Sequence, residues 1–144
     1  MLTLHDIEVI YNNAILVLKG VSLEVPDGGI VSLLGANGGG KTTTLKAISG
    51  LLHTELGEVT RGSIDFDGVR IDKRNAKTIT RLGIIQVLEG RMVLEHLTVE
   101  ENLKAGSLIT DGSTTKRDLD MVYSYFPKLV DLRHRVSGYI SGGE

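Results

Sequence analysis

Eight consecutive residues carry the most specific chemistry in this sequence. Gly35, Ala36, Asn37, Gly38, Gly39, Gly40, Lys41 and Thr42 fit the pattern G-x-x-x-x-G-K-[ST]. Glycines there let the backbone approach an anion and turn its N–H groups inward. A helix starting near Lys41 would add the positive end of its dipole. Lys41 supplies a point charge for β- and γ-phosphates, and the Thr42 hydroxyl is placed to ligate Mg²⁺. The competing reading is a flexible glycine loop capped by threonine. The flanks argue against it, since an apolar run precedes the loop and a helical pattern follows. A second string, Ser141, Gly142, Gly143 and Glu144, would be turn-like if it stood alone. At the start of a helix it offers a hydroxyl and bare N–H groups to an anion.

These groups need elements to hold them. Residues 2–10 and 16–25 read as strands, the second ending in the strict alternation of Val21, Ser22, Leu23, Glu24 and Val25. Residues 26–29 are a turn signal. Residues 30–34 are a short apolar run, the pattern of a buried central strand leading into the loop. Residues 41–52 are helical, with Leu45, Ile48 and Leu52 on one face. Residues 64–71 look like a surface strand or strand pair. Residues 76–82 form a short helix that Gly83 can cap, and residues 84–88 are another apolar strand. Thr98, Val99, Glu100 and Glu101 make a capping box that starts a helix. Leu119, Val122, Tyr123 and Phe126 mark a further helix, which Pro127 stops. Strands dominate the first ninety residues or so and helices the remainder.

Composition bounds the partners. The 144 residues are 41% hydrophobic and 24% charged, values of an ordinary globular chain. A net charge of −2 shows no basic bias toward nucleic acid or anionic lipid. The longest stretch without Asp, Glu, Lys or Arg, residues 28–40, is too short and too glycine-rich to span a bilayer. Asp6 and Glu8 stand where a secretory signal would be basic and then apolar. Without cysteine there is no disulfide framework and no thiolate metal site. Glycine, at 18 residues, is in excess, which suits loops where backbone must come close to something.

With these motifs in this order, the chain resembles the nucleotide-binding subunit of an ATP-binding cassette (ABC) transporter. The family's signature, Leu-Ser-Gly-Gly-Gln, stands here as Ile140, Ser141, Gly142, Gly143 and Glu144. The resemblance covers the whole chain and is strongest toward the branched-chain amino acid importer subfamily. That subfamily shares the loop through Thr43, the triplet Glu89, Gly90 and Arg91, the run from Thr98 to Leu103, and Ser-Gly-Gly-Glu. It implies an α/β fold: a P-loop NTPase (RecA-like) core with an N-terminal antiparallel β subdomain and an α-helical subdomain. Residues 1–95 would be the nucleotide-binding core and residues 96–144 the helical subdomain. The family continues past its signature into an apolar strand ending Asp-Glu, and then a histidine that meets the γ-phosphate. His5, His53, His96 and His134 all come too early for that role. The chain is therefore expected to be a C-terminally truncated cassette, poorly soluble or only partly folded when made alone, without measurable ATP hydrolysis and with at most weak nucleotide binding.

The resemblance also implies roles. ATP and Mg²⁺ are the expected ligands, held by residues 35–43, with Lys41 catalytic. Tyr11 matches the aromatic that stacks on adenine; the alternative is a strand tyrosine packed on its neighbours. Glu89 matches the position where most of the family has a glutamine that senses Mg²⁺ and the attacking water, and a carboxylate can do so as well. Gln86 is a decoy three residues too early. Ser141, Gly142 and Gly143 would meet the ATP of a second, head-to-tail ATP-binding subunit. Membrane-embedded permease subunits, and indirectly a periplasmic or extracellular binding protein, are the other expected partners, at the cytoplasmic face of the membrane. Gly39 stands where the subfamily usually has Ala, and Met92 and Leu94 where Arg and Phe are common, beside the surface that meets the permease. Two alternatives stay open: a non-transport cassette ATPase, or, for this segment by itself, a nucleotide-binding module without turnover. A P-loop kinase or GTPase would have no reason to carry the signature.

Overall fold

In the computed structural model, which describes residues 1–90, 92–107 and 113–141, the apolar alternation of the N-terminal segment becomes an antiparallel sheet. Strand β1 (Leu2–Tyr11) lies between β2 (Ile15–Val25) and β3 (Gly57–Phe66), with the short β4 (Val69–Arg70) outside β3. Asn12 and Asn13, both left-handed at φ 51° and 54°, turn β1 into β2. Asparagine tolerates that region better than other non-glycine residues.

Along β1 the buried positions are Leu4, Ile7 and Val9, so the two-residue period slips by one between Leu4 and Ile7. The register shifts there toward both neighbouring strands. Asp6, at φ 48°, is the extra residue of this bulge. It is flanked by Gly20 on β2 and Gly62 on β3, at φ 90° and 84°. A β-carbon on Gly20 would come within 2.6 Å of the Asp6 carboxylate.

Helix α1 (Lys41–Ser49) lays Thr44, Ala47, Ile48 and Ser49 toward the sheet. Leu45, expected on the same face, is exposed instead. Helix α2 (Ala76–Arg81) begins at Asn75, whose side chain accepts from the Thr78 N–H, and Gly83 follows its end at φ 103°. Leu4, Ile7, Val9, Leu18, Ala47, Ile48, Leu52, Ile64, Ile71 and Ile79 close into one core. Each of the leucine, isoleucine and valine side chains among them, fully buried, contributes roughly 1.5–3 kcal/mol.

One carboxylate is sealed into this unit. The Asp72 side chain is 1% exposed. It accepts from Arg70 Nε at 2.7 Å and from the Ile64 N–H at 3.3 Å. Burial pushes its pKa up, but the Arg70 and Ile64 hydrogen bonds and the Arg70 charge outweigh burial and hold it below the ordinary value. A carboxyl whose folded pKa lies below its unfolded one stabilises the fold above the unfolded value, about 4, and loses that contribution as pH falls through the folded value. Asp72→Asn is therefore expected to lower the melting temperature at pH 7 and to flatten its decline on acidification. Asp72→Ala is expected to cost about 1–3 kcal/mol by leaving the Ile64 N–H unpaired. Melting curves at pH 7 and pH 3 check both.

Two expected strands are corrected. Residues 30–34 and 84–88 form no ladder with any described residue. Ile30 is 97% exposed, Leu34 88% and Val87 93%. Only Ile84, half-buried, packs against the core. An apolar run becomes a central strand only when strands on both sides take up its N–H and C=O groups, and the described residues supply none. The expected pair within residues 64–71 is found as the end of β3 and β4.

The backbone divides into two units, Met1–Gln86 and Val87–Glu144. The second is helical: α3 (Val99–Gly106), α4 (Thr115–Tyr125) and α5 (Lys128–Leu132), then a 3₁₀ turn over Ser137–Tyr139. The capping box is present in full. Thr98 Oγ1 accepts from the Glu101 N–H, and the Glu101 carboxylate accepts from the Thr98 N–H at 2.8 Å. Those Thr98 hydrogen bonds hold the Glu101 carboxyl below its usual range. Helix α4 ends at Tyr125, ahead of Pro127 as expected, but buries no residue fully, and Phe126 is 61% exposed. The small core here is Val99, Leu132 and Ile140, with Leu103 and Leu129 packed on it.

Candidate functional site

The glycine loop folds as its composition dictates. Gly38 and Gly40 are left-handed at φ 79° and 82°. Between them the Gly39 N–H returns to the Ala36 carbonyl at 3.0 Å. A β-carbon on Gly40 would meet Leu18 Cδ2 at 2.4 Å, so the end of the loop is pressed on β2 and only glycine fits. Gly40 is also the N-cap of α1, with no side chain capping it. The first-turn N–H groups of α1, those of Lys41, Thr42 and Thr43, therefore lack helical partners and stand ready for an anion.

Thr44 anchors this arrangement. It is 2% exposed. Both its N–H and its hydroxyl donate to the Gly40 carbonyl, at 2.8 and 3.0 Å. That draws the carbonyl into the helix and leaves the preceding N–H groups facing the loop. Thr44 did not stand out in the sequence, because three consecutive threonines look alike until one is buried. Lys41 curls back over the loop, its Nζ 2.8 Å from the Gly35 carbonyl and 2.7 Å from that of Ala36. The lysine thus bridges the loop's first residues to the helix start. Gly35, Ala36, Asn37, Gly38 and Gly39 are exposed, as is Thr42, while Gly40 is buried.

Tyr11 lies at the end of β1, opposite Ile15 and Gly57. Its ring covers Gly57, where a β-carbon would meet Cε1 at 2.7 Å, and it packs against the core. Val9, two residues earlier, pairs with Leu18, the residue under Gly40. At a strand rise of about 3.3 Å per residue, Tyr11 sits roughly 7 Å along the sheet from the end of the loop. Gln86 has a local role: its Oε1 accepts from Ser49 Oγ on α1 at 2.5 Å. Glu89 and Ser141 belong to the second unit. Glu89 is exposed, in a bend before Gly90 at φ 88°. Ser141 is exposed after the buried Ile140. Gly142, Gly143, Glu144 and Arg91 lie outside the described residues.

The donor set fits the expected ligands. Backbone N–H groups, a lysine and a helix N-terminus suit a polyphosphate. Among the described residues no three His, Cys, Asp or Glu side chains gather to hold a metal ion.

A family model described as ABC transporter matches residues 18–144. The chain belongs to the ABC transporter family. It is 40% identical over 134 residues to the high-affinity branched-chain amino acid transport ATP-binding protein BraG of Pseudomonas aeruginosa, covering 93% of this chain and 55% of that protein. It is 34% identical over 128 residues to the probable branched-chain amino acid transport ATP-binding protein LivF of Archaeoglobus fulgidus, covering 89% of this chain and 52% of that one. The sulfate/thiosulfate import ATP-binding protein CysA of Synechocystis is 35% identical over 129 residues, 88% of this chain and 34% of that protein. The chain spans about half the length of BraG and LivF. Its fold matches the ADP conformation of MJ1267, an ATP-binding cassette of an ABC transporter, with TM-score 0.79 and 25% identity, over 99% of this chain and 59% of that one. The fold class is thus the α/β cassette of P-loop NTPases, with its antiparallel β sheet and helical part.

Proposed function

We propose that the full-length protein is the ATP-binding subunit of an importer for branched-chain or related amino acids. The observation that carries this is the loop: left-handed Gly38 and Gly40, Lys41 folded over the loop carbonyls, and an uncapped α1 anchored by Thr44. The likeness to BraG and LivF supports the substrate class, over that of the sulfate/thiosulfate relative, as do Glu89, Gly90, Arg91 and the Ser-Gly-Gly-Glu string.

In this reading residues 1–95 are the nucleotide-binding core and residues 96–144 the helical subdomain. The N–H groups of residues 35–43 and the Lys41 ammonium bind the phosphates of ATP, and Tyr11 offers its ring face to adenine. Thr42 would offer its hydroxyl to Mg²⁺, which would neutralise charge on the phosphates, and Glu89 carries the carboxylate that the family resemblance assigns to sensing that ion. Ser141, Gly142 and Gly143 face the ATP of a second cassette. Catalysis is positioning and charge stabilisation for in-line attack of water on the γ-phosphate. The subunit works at the cytoplasmic face of the membrane on permease subunits fed by a binding protein. Among the described residues no helix is long and apolar enough to cross a membrane itself.

The test is phosphate release by the full-length protein, together with leucine uptake after reconstitution with its permease. Glu89→Gln is expected to keep ATP affinity within about twofold while shifting the Mg²⁺ dependence and lowering turnover. Gln86→Ala is expected to lower the melting temperature, through the lost Ser49 bond, and to spare kcat. No ATP-dependent phosphate release, or a kcat that depends on Gln86 and ignores Glu89, would overturn the assignment.

A further inference from the structure

Glu89 and Ser141 are both exposed and lie outside regular elements, so something must fix the segments that carry them. The segment after Glu89 runs through Leu94 and Leu97 into α3, and the segment before Ser141 returns from α5 through residues 133–140. The two backbones are laced together. Thr98 bridges Val136. Val99 N–H donates to the Arg135 carbonyl at 3.1 Å, Ser137 N–H to that of Leu97 at 2.9 Å, and Gly138 N–H to that of Glu95 at 3.0 Å. A β-carbon on Gly138 would stand 3.1 Å from the Glu95 oxygen, so the approach is close.

One side chain spans this lacing. Asn102, in the second turn of α3, accepts from the Leu94 N–H through Oδ1 at 2.7 Å. Its Nδ2 lies 3.0 Å from the Leu94 carbonyl, 3.0 Å from that of Thr98 and 2.9 Å from Ser137 Oγ. Ser137 is 6% exposed. The amide supplies an acceptor and two donors from one side chain; Asp of the same size lacks the donors and Leu lacks both. Asparagine is a poor interior helix residue, so its place here answers to these bonds and not to helix propensity.

We propose that Asn102, through Ser137, is a positioning residue that sets the Glu89 segment and the Ser141 segment in fixed register. This rests on the reading above, in which Glu89 serves the ATP of its own chain and Ser141 that of the facing chain.

Ser137→Ala removes the side-chain bond between the two segments with the least disturbance, leaving their backbone bonds and the Asn102 bonds to Leu94 and Thr98 in place. Asn102→Asp keeps the size and the acceptor. In the full-length protein, both are expected to keep the ATP dissociation constant and KM within about twofold while kcat falls about tenfold. Combined with Glu89→Gln, neither is expected to lower kcat further, because residues acting as one unit are non-additive. Hydrogen exchange without nucleotide should quicken in residues 92–97 and in residues 137–141 together. A folded Ser137→Ala protein with unchanged kcat, losses that multiply with Glu89→Gln, faster exchange in one segment only, or two variants that no longer melt cooperatively would each overturn the link. If the unmutated protein shows no turnover, the transport assignment fails, and the exchange measurement still decides whether the segments are coupled.

Discussion

Replacing Lys41 with alanine in the full-length protein is expected to weaken ATP binding about 10- to 100-fold. A hydrogen bond to a charged group contributes roughly 1.5–3 kcal/mol, and the Lys41 ammonium is the cation that the loop holds over its own first residues. The substitution also releases the Gly35 and Ala36 carbonyls to turn outward, where they would face phosphate oxygens of like partial charge. Both effects act on affinity and little on folding, because the loop is exposed. Equilibrium titration with ATP, beside a melting curve, separates them. Affinity within about twofold of wild type, about 0.4 kcal/mol, would rule out the phosphate role.

The largest effect on stability is expected at Gly62. Its φ is 84°, and an added β-carbon would lie 2.3 Å from the His5 carbonyl oxygen and 2.5 Å from that of Asp6. Those atoms are backbone of the central strand β1, at the bulge where Asp6 is itself left-handed. β1 cannot yield there without disturbing its ladders with both β2 and β3. Gly62→Ala is therefore expected to cost about 3 kcal/mol or more. Gly68→Ala is the control. It has a similar φ of 77° but nothing within 4 Å of the new atom, so it should cost only the left-handed strain of about 1–2 kcal/mol. Denaturant unfolding of the two variants in full-length protein tests the difference. Equal losses would mean that the close crossing of β1 and β3 does not carry the effect.

What the sequence alone determined is local. The phosphate loop was legible because G-x-x-x-x-G-K-[ST] specifies backbone freedom, a charge and a hydroxyl within one helical turn, and the loop's Gly38 and Gly40 are left-handed as that requires. The capping box at Thr98 and the stop at Pro127 were legible for the same reason: each is a bond or a clash between residues a few positions apart. Tertiary structure decided what depends on distant partners. Apolar runs at residues 30–34 and 84–88 look like strands, yet strand formation needs neighbours that no local pattern supplies. The buried Thr44 under the loop, the sealed Asp72 and the Asn102 amide between two segments gave no signal, since threonine, aspartate and asparagine read as surface residues until long-range packing encloses them. The bulge at Asp6 is of the same kind. Its glycines at positions 20 and 62 are far apart in sequence, and only the pairing of three strands brings all three residues to one crossing, where a β-carbon has no room.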